Sequence, residues 1–312
     1  MNDIFPVIPA IKALRPTHWT KNLALFAALI FSGQLDNPLS FTKVVWAFVA
    51  FNFITSATYI FNDLLDVKRD RLHPIKKNRP IASGKLSVEY AILEMFIVLF
   101  VGLILAEIIS HLLFTLIIGY LVLQVLYTLF LKHLPIIDIL IIASGFVIRV
   151  YAGAFIIDAH LSVWFLLCVI SVALFLASGK RRAELQIVDG AKTRESLQKY
   201  PTELLNSYVT MFGNAAWMSW ALFTFFESPK ANANLWLFLA ELSKTTTINK
   251  LLMATIPVTI FAIMRYQSLI FGGKSEAPEK VLLTDIPLVT SVGIWVLMVV
   301  WILYSGASNF SI

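Results

Sequence analysis

Charge and cysteine are both scarce in this sequence of 312 residues. Only 14% of the residues are charged and 58% are hydrophobic, whereas soluble proteins carry charge on about 25% of their residues. A soluble fold of this length could not bury so much apolar surface, which excludes a soluble enzyme, a disordered chain and a nucleic-acid-binding domain. The single cysteine, Cys168, lies inside an apolar run. The sequence therefore offers neither a disulfide framework nor a cysteine-based metal site.

Uncharged or nearly uncharged stretches recur along the whole chain. A helix that crosses the hydrocarbon core of a membrane needs about 20 mostly apolar residues. Seven stretches reach this length, and two shorter ones reach it when they are extended to begin near Thr17 and Thr246. The sequence therefore predicts an all-α integral membrane protein with nine transmembrane helices. These spans fall at residues 17–35, 44–62, 86–106, 112–131, 135–157, 161–179, 204–226, 246–264 and 286–312.

The cations are distributed very unevenly between the two sets of alternating loops. One set carries 20 Lys and Arg residues and the other carries 4, while Arg149 lies inside a span. Loops rich in Lys and Arg stay in the cytoplasm, so we expect a cytoplasmic N-terminus and an extracytoplasmic C-terminus in the cell (inner) membrane. We expect residues 1–312 to form one polytopic membrane domain whose catalytic loops, about residues 63–85 and 179–201, are cytoplasmic.

The first long loop begins with acidic residues at a regular spacing. Asn62, Asp66 and Asp70 are four residues apart, so on a continuing helix they form one stripe, with Asp63 slightly to the side. Carboxylates stacked in this way repel one another and favour a bound cation. Oxygen ligands at a membrane surface indicate Mg²⁺, which usually bridges a few carboxylates to the phosphates of a substrate.

Basic residues follow the acidic stripe in the same loop. Lys76, Lys77 and Arg79 are suited to phosphate oxygens that the metal leaves uncovered. His73 precedes a proline and is flanked by cations, so a contact with phosphate or with the loop itself is favoured over a role as a base. The alternative is that these charges serve only to fix the orientation of the loop.

This segment resembles the first signature of the UbiA superfamily of intramembrane prenyltransferases. The shared pattern is Asn62-x-x-x-Asp66-x-x-x-Asp70, followed by His73-Pro74 and Arg79-Pro80-x-Ala82-Ser83-Gly84. The resemblance implies a nine-helix bundle with a cavity that opens sideways to lipid. It also implies that Asn62, Asp66 and Asp70 handle Mg²⁺ and the diphosphate of a substrate.

The second loop departs from the usual pattern of that superfamily, which carries a second aspartate-rich motif after the sixth span. Here the segment contains three successive cations, Lys180, Arg181 and Arg182, followed by Glu184. Cations neutralise phosphate directly, so an anionic second substrate is expected, although a purely topological cluster is the alternative. The departure resembles one branch of the superfamily, the decaprenyl-phosphate phosphoribosyltransferases.

Further matches to that branch lie in the first and fifth spans. They include Lys21 and Asn22 in the segment that follows Arg15, and the stretch from Asp138 to Arg149. The resemblance implies transfer of 5-phosphoribose from phosphoribosyl diphosphate to a polyprenyl phosphate, with release of diphosphate. We count Lys21, Asn22 and Arg149 among the candidate substrate contacts. A homo-oligomer is compatible with such a protein.

Two other functions remain open at this point. The first is an ordinary UbiA-type prenyltransferase, which moves a polyprenyl group from its diphosphate to an aromatic or other acceptor. The missing second acidic motif argues against it. The second is a membrane carrier without catalytic activity, for which broken helices or paired charges at mid-membrane are typical. The sequence shows neither feature clearly.

Overall fold

The computed structural model describes residues 7–187, 200–227, 246–272 and 284–304. Within these ranges all regular structure is helical, as predicted. Two 3₁₀ segments, Pro16–Leu25 and Thr246–Thr255, precede α2 and α9 respectively. The α-helices are α1 (Val7–Ala13), α2 (Phe26–Phe31), α3 (Pro38–Leu72), α4 (Val88–Ile109), α5 (His111–Leu129), α6 (Ile137–Ile156), α7 (Val163–Ile187), α8 (Thr202–Phe226), α9 (Ile256–Phe271) and α10 (Ile286–Tyr304).

Seven of the described helices are long and apolar enough to cross a membrane: α3, α4, α5, α6, α7, α10 and the segment that contains α9. They correspond to seven of the nine predicted spans. The predicted span at 204–226 is the 25-residue α8, which is less apolar because polar side chains such as Asn206, Thr210 and Asn214 interrupt it. The predicted span at 17–35 is not one α-helix, since a 3₁₀ segment there leads into the short α2.

Helix α3 carries the acidic stripe beyond the membrane core. Its 35 residues extend about 52 Å at 1.5 Å per residue, whereas the hydrocarbon core is about 30 Å thick. The side chain of Asn37 caps the first turn by accepting hydrogen bonds from the backbone N–H groups of Leu39 and Ser40. The helix ends at Leu72, because the following His73 precedes a proline and adopts an extended conformation. The acidic stripe and the apolar span thus belong to a single continuous helix.

A glycine brings the 3₁₀ segment Pro16–Leu25 onto α6. A Cβ atom at Gly153 would lie only 2.1 Å from the carbonyl oxygen of Leu25, so no other residue allows this approach. The same region contains one apolar core built from α2 to α6, with Leu25, Phe51 and Ile117 fully buried. This close packing places Asn22 beside α6, within hydrogen-bond distance of Arg149.

Candidate active site

Two arginines from different segments form ion pairs with the acidic end of α3. The Nη1 atom of Arg79 donates to Asp63 at 2.9 Å and to Asp70 at 2.6 Å. Arg15, which precedes the 3₁₀ segment, also donates to Asp63. Both aspartates are only 3% exposed. The predicted acidic half and basic half of the first loop therefore meet in one buried ion cluster.

Asp66 has a different partner, the ammonium of Lys132. The ammonium of Lys132, in the turn between α5 and α6, lies 3.0 and 3.1 Å from the two carboxylate oxygens of Asp66. Lys132 is 3% exposed, and an ammonium so well buried requires such a partner. The ammonium of Lys132 therefore forms an ion pair with Asp66, a predicted metal ligand.

The side-chain oxygen atoms at this end of α3 suit Mg²⁺ that is bound jointly by the protein and by substrate phosphates. They do not suit a Mg²⁺ ion that is enclosed by protein ligands alone. No three His, Cys, Asp or Glu side chains among the described residues converge on one point as a metal site. Mg²⁺ is commonly held by only one or two carboxylates together with substrate phosphates. Asn62 and Asp66, one turn apart and both partly exposed, present suitable oxygens, and the Asn62 side chain makes no hydrogen bond to any other described residue. Asp70 lies a further turn along the same stripe.

His73 organises the loop that follows α3. Its Nδ1 atom accepts hydrogen bonds from the backbone N–H groups of Ile75 and Lys76, at 3.2 and 3.3 Å. Burial, together with the charges of Lys76 and Arg79, lowers the pKa of this imidazole below its usual range. The neutral ring is therefore a loop contact at neutral pH, while Lys76 and Lys77 are exposed to solvent.

The two charged segments lie within electrostatic reach of each other. The negative charge of Glu184, on α7, opposes the lowering of the pKa of His73, so this carboxylate is within electrostatic reach of the first loop. Sequence reasoning expected both loops to serve one site, and the structure brings Glu184 towards the first. Residues 188–199 of the second loop lie outside the described ranges.

Arg181 is the centre of the second segment. Its guanidinium is fully buried and forms an ion pair with Asp138 of α6, with 2.5 Å between Nε and Oδ2. It also donates to Glu184 and, at 2.8 Å, to the hydroxyl of Tyr127 on α5. Arg181 thus joins three helices, and in this arrangement its charge is balanced by protein carboxylates.

The neighbouring cations have separate surroundings. Lys180 is half-buried on α7. Arg182 donates through Nε to Asn206 of α8 at 2.5 Å, and its guanidinium lies 6.0 Å from the ring of Phe271. Arg182 therefore contacts an amide and an aromatic ring and lies within electrostatic reach of Glu203, whereas Arg181 contacts two carboxylates directly.

Arg149 and Asn22 form a buried polar network deeper in the bundle. Arg149 donates from Nε to Asn22 at 2.6 Å and from Nη2 to the hydroxyl of Tyr120 at 3.0 Å. The amide of Asn22 donates in turn to Asn52 at 2.7 Å. These bonds occupy both ends of the Asn22 amide, so Asn22 connects α6 to α3. Lys21, predicted beside it, lies 3.5 Å from Nδ1 of His18.

An apolar cavity of about 230 Å³ lies along the part of α7 that precedes the second segment. Leu176, one of its lining residues, lies five positions before Arg181. Aromatic side chains form much of the wall, namely Phe31, Phe146, Phe165, Trp220 and Trp295. The part of α7 before the charged cluster therefore lines a space suited to a hydrocarbon chain.

The sequence pattern of the UbiA prenyltransferase family matches residues 23–267. The chain belongs to this family. It is 37% identical to a protein named decaprenyl-phosphate phosphoribosyltransferase from Corynebacterium glutamicum, over 94% of this chain and 86% of that protein. A protein of the same name from Mycolicibacterium smegmatis is 36% identical, over 96% of this chain and 92% of that protein.

Solved UbiA structures share the fold. A UbiA homolog from Archaeoglobus fulgidus bound to GPP and Mg²⁺ superposes with a TM-score of 0.66, at 18% identity, over 96% of this chain and 100% of that one. A digeranylgeranylglyceryl phosphate synthase superposes with a TM-score of 0.63, at 16% identity, over 97% of this chain. The resemblance read from the first loop is confirmed, and the fold is all-helical and UbiA-like.

Sequence reasoning missed several contacts around this candidate site. Lys132, Tyr127 and Tyr200 were not considered as contacts, and Arg15 was noted only as part of a similar segment. Lys132 offered a weak signal, because it is the only Lys or Arg between residues 86 and 148. Asp138, at the start of the matching stretch in the fifth predicted span, is fully buried.

Proposed function

We propose that this protein transfers 5-phosphoribose from phosphoribosyl diphosphate to a polyprenyl phosphate resembling decaprenyl phosphate. An oxygen of the lipid phosphate forms a bond to ribose C1. The bond from C1 to the diphosphate oxygen breaks, and its electron pair leaves with the diphosphate. The nucleophile is already anionic at neutral pH, so the step requires no general base.

One observation carries the proposal. The second segment of this UbiA family member has cations where an acidic motif is usual, and Glu184, the acid in the described part of this segment, is engaged by Arg181. Such a segment is suited to an anionic second substrate, which a lipid phosphate is and an aromatic acceptor need not be. The proteins named decaprenyl-phosphate phosphoribosyltransferase, similar over nearly the whole chain, support the same choice.

The roles we assign follow the charges of the site. Asn62, Asp66 and Asp70 would hold Mg²⁺, which when bound neutralises charge that develops on the departing diphosphate. Lys76, Lys77 and Arg79 would contact diphosphate oxygens, and His73 would keep their loop in place. On the other side of the site, Lys180 and Arg182 would receive the lipid phosphate.

The membrane arrangement is part of the proposal. We infer nine spans, with the 3₁₀ segment, α2 and α8 joining the seven apolar helices. At about 2.0 Å per residue for a 3₁₀ helix and 1.5 Å for an α-helix, Pro16–Leu25 and α2 together extend roughly 29 Å, close to the thickness of the core. The apolar cavity would open sideways to lipid in the inner membrane, and both charged segments would face the cytoplasm.

A donor panel tests this function against the alternative. The alternative is prenyl transfer from a polyprenyl diphosphate, which the GPP-bound relative favours. Purified protein would be incubated with Mg²⁺ and labelled phosphoribosyl diphosphate plus polyprenyl phosphate, or with a polyprenyl diphosphate plus aromatic acceptors. We expect labelled lipid only from the first mixture. Prenylated acceptor from the second mixture, with no labelled lipid from the first, would establish the alternative.

A further inference from the structure

The turn before α6 is held in an unfavourable backbone conformation. Ile136 has φ 71° and ψ −51°, a region that a β-branched residue rarely adopts because its side chain clashes with the backbone. Leu134, before Pro135, is extended as a residue preceding proline should be. The chain therefore reverses sharply at Ile136, only four residues after Lys132. A hydrogen bond from the backbone N–H of Ile137 to the carbonyl of Pro135, at 2.8 Å, closes the turn from within, and contacts from the surrounding structure must hold the strained residue in place.

Tyr200 supplies that stabilisation. Its hydroxyl accepts the backbone N–H of Ile136 and donates to Asp138 at 2.8 Å. Burial raises the pKa of this phenol, so the O–H keeps the proton that it donates. The ring packs among Ile139, Ala177 and Leu205, which fixes the position of the hydroxyl. Asp138 is itself anchored by Arg181.

The same turn carries the cation that contacts Asp66. Residues 131–133 form a single 3₁₀ turn, and the backbone N–H of Asp138 bonds to the carbonyl of Leu134 at 3.1 Å. A short, hydrogen-bonded stretch thus connects Lys132 to Ile136. A shift of the backbone at Ile136 would move Lys132 as well, because only a short stretch held by hydrogen bonds separates the two residues.

We infer that Tyr200 is a positioning residue, which sets Lys132 against Asp66 by holding the strained turn at Ile136. The chain of contacts runs from Arg181 through Asp138 and Tyr200 to Ile136, and then along the backbone to Lys132. It connects the second charged segment to the metal-binding stripe of the first. The inference rests on the proposed function only in taking Asp66 as a ligand of the divalent cation.

The direction of the effect follows from charge. In the absence of substrate the ammonium of Lys132 competes with a divalent cation for the carboxylate of Asp66. Lys132→Met should therefore tighten binding of Mn²⁺, used as a paramagnetic substitute for Mg²⁺. Tyr200→Phe keeps the packed ring but removes the hydroxyl, so it should tighten Mn²⁺ binding by a smaller factor.

The test measures Mn²⁺ binding to the purified, full-length protein by electron paramagnetic resonance, together with turnover and thermal unfolding. The matched control is Tyr208→Phe on α8, because no described residue bonds to the Tyr208 hydroxyl. We expect Tyr208→Phe to match the wild type. We expect Tyr200→Phe combined with Lys132→Met to bind Mn²⁺ as Lys132→Met alone does, because the two changes act through one contact.

Two results would overturn the inference. One is unchanged Mn²⁺ binding in a folded Tyr200→Phe protein. The other is full additivity of the two substitutions. If Tyr200→Phe unfolds, Ile136→Gly in the same chain provides the second test, because glycine adopts a positive φ without strain. If the double variant Tyr200→Phe, Ile136→Gly folds but does not bind Mn²⁺ as the wild type does, the inference is also rejected. The Mn²⁺ measurement needs no substrate, so it remains decisive if the donor panel rejects phosphoribosyl transfer.

Discussion

Replacing Arg181 with methionine distinguishes a structural role for this side chain from a role in binding phosphate. The guanidinium and the Asp138 carboxylate are both fully buried, and the side chain of Glu184 is 30% exposed. Removing the cation leaves the Asp138 charge buried with only the Tyr200 hydroxyl as a described partner. Breaking a buried ion pair in this way costs about 3–5 kcal/mol. For large globular domains, in which 1 kcal/mol changes the Tm by about 2–4 °C, this corresponds to a loss of roughly 6–20 °C.

The assay is thermal unfolding in detergent, run beside kinetics with varied lipid phosphate and varied donor. Arg181→Met should lose stability by this amount, and Asp138→Asn in the same chain should recover part of it, because the uncompensated charge is then gone. A Tm within about 2 °C of the wild type for Arg181→Met would refute the structural argument. If catalytic efficiency toward lipid phosphate nevertheless fell tenfold to a hundredfold, about 1.5–3 kcal/mol, Arg181 would be a phosphate ligand, as the sequence alone suggested.

Three further predictions concern the first loop and the membrane topology. Asp66→Asn should lower Mg²⁺-dependent turnover by ~100-fold or more, since metal charge stabilisation is worth several kcal/mol, and it should also lower the Tm, because it removes the carboxylate that pairs with the buried ammonium of Lys132; wild-type turnover in EDTA would contradict the metal assignment. The pKa of His73 is lower in the folded loop than in the opened loop. Protonation therefore favours the opened loop, and protection of residues 73–79 from hydrogen exchange should fall as pH decreases below about 6.5. His73→Asn should remove that dependence, and an unchanged profile would argue against it. A reporter after Ile312 should be extracytoplasmic and one beside Asp189 cytoplasmic, whereas reporters on the same side would mean a miscounted span.

The helical class, the apolar spans and the acidic stripe could be predicted from the sequence. Each depends on short-range properties: hydropathy over about 20 residues and the four-residue spacing of Asn62, Asp66 and Asp70 on one helix face. The order of cations after the sixth span could also be read directly. The broken first span was not foreseen, because the 3₁₀ segment depends on its contact with α6 at Gly153.

Only the tertiary structure decided which charge meets which. Lys132 and Asp66 are 66 residues apart in the sequence, and neither spacing nor composition pairs them. Arg181 appeared to be one of three equivalent cations, yet the approach of α6 to α7 gives it Asp138, while Arg182 faces Asn206. A solvated charge needs no particular partner, but a charge buried in the bundle is stable only beside a complementary group. The packing of the helices therefore determined the assignments that the linear sequence left open.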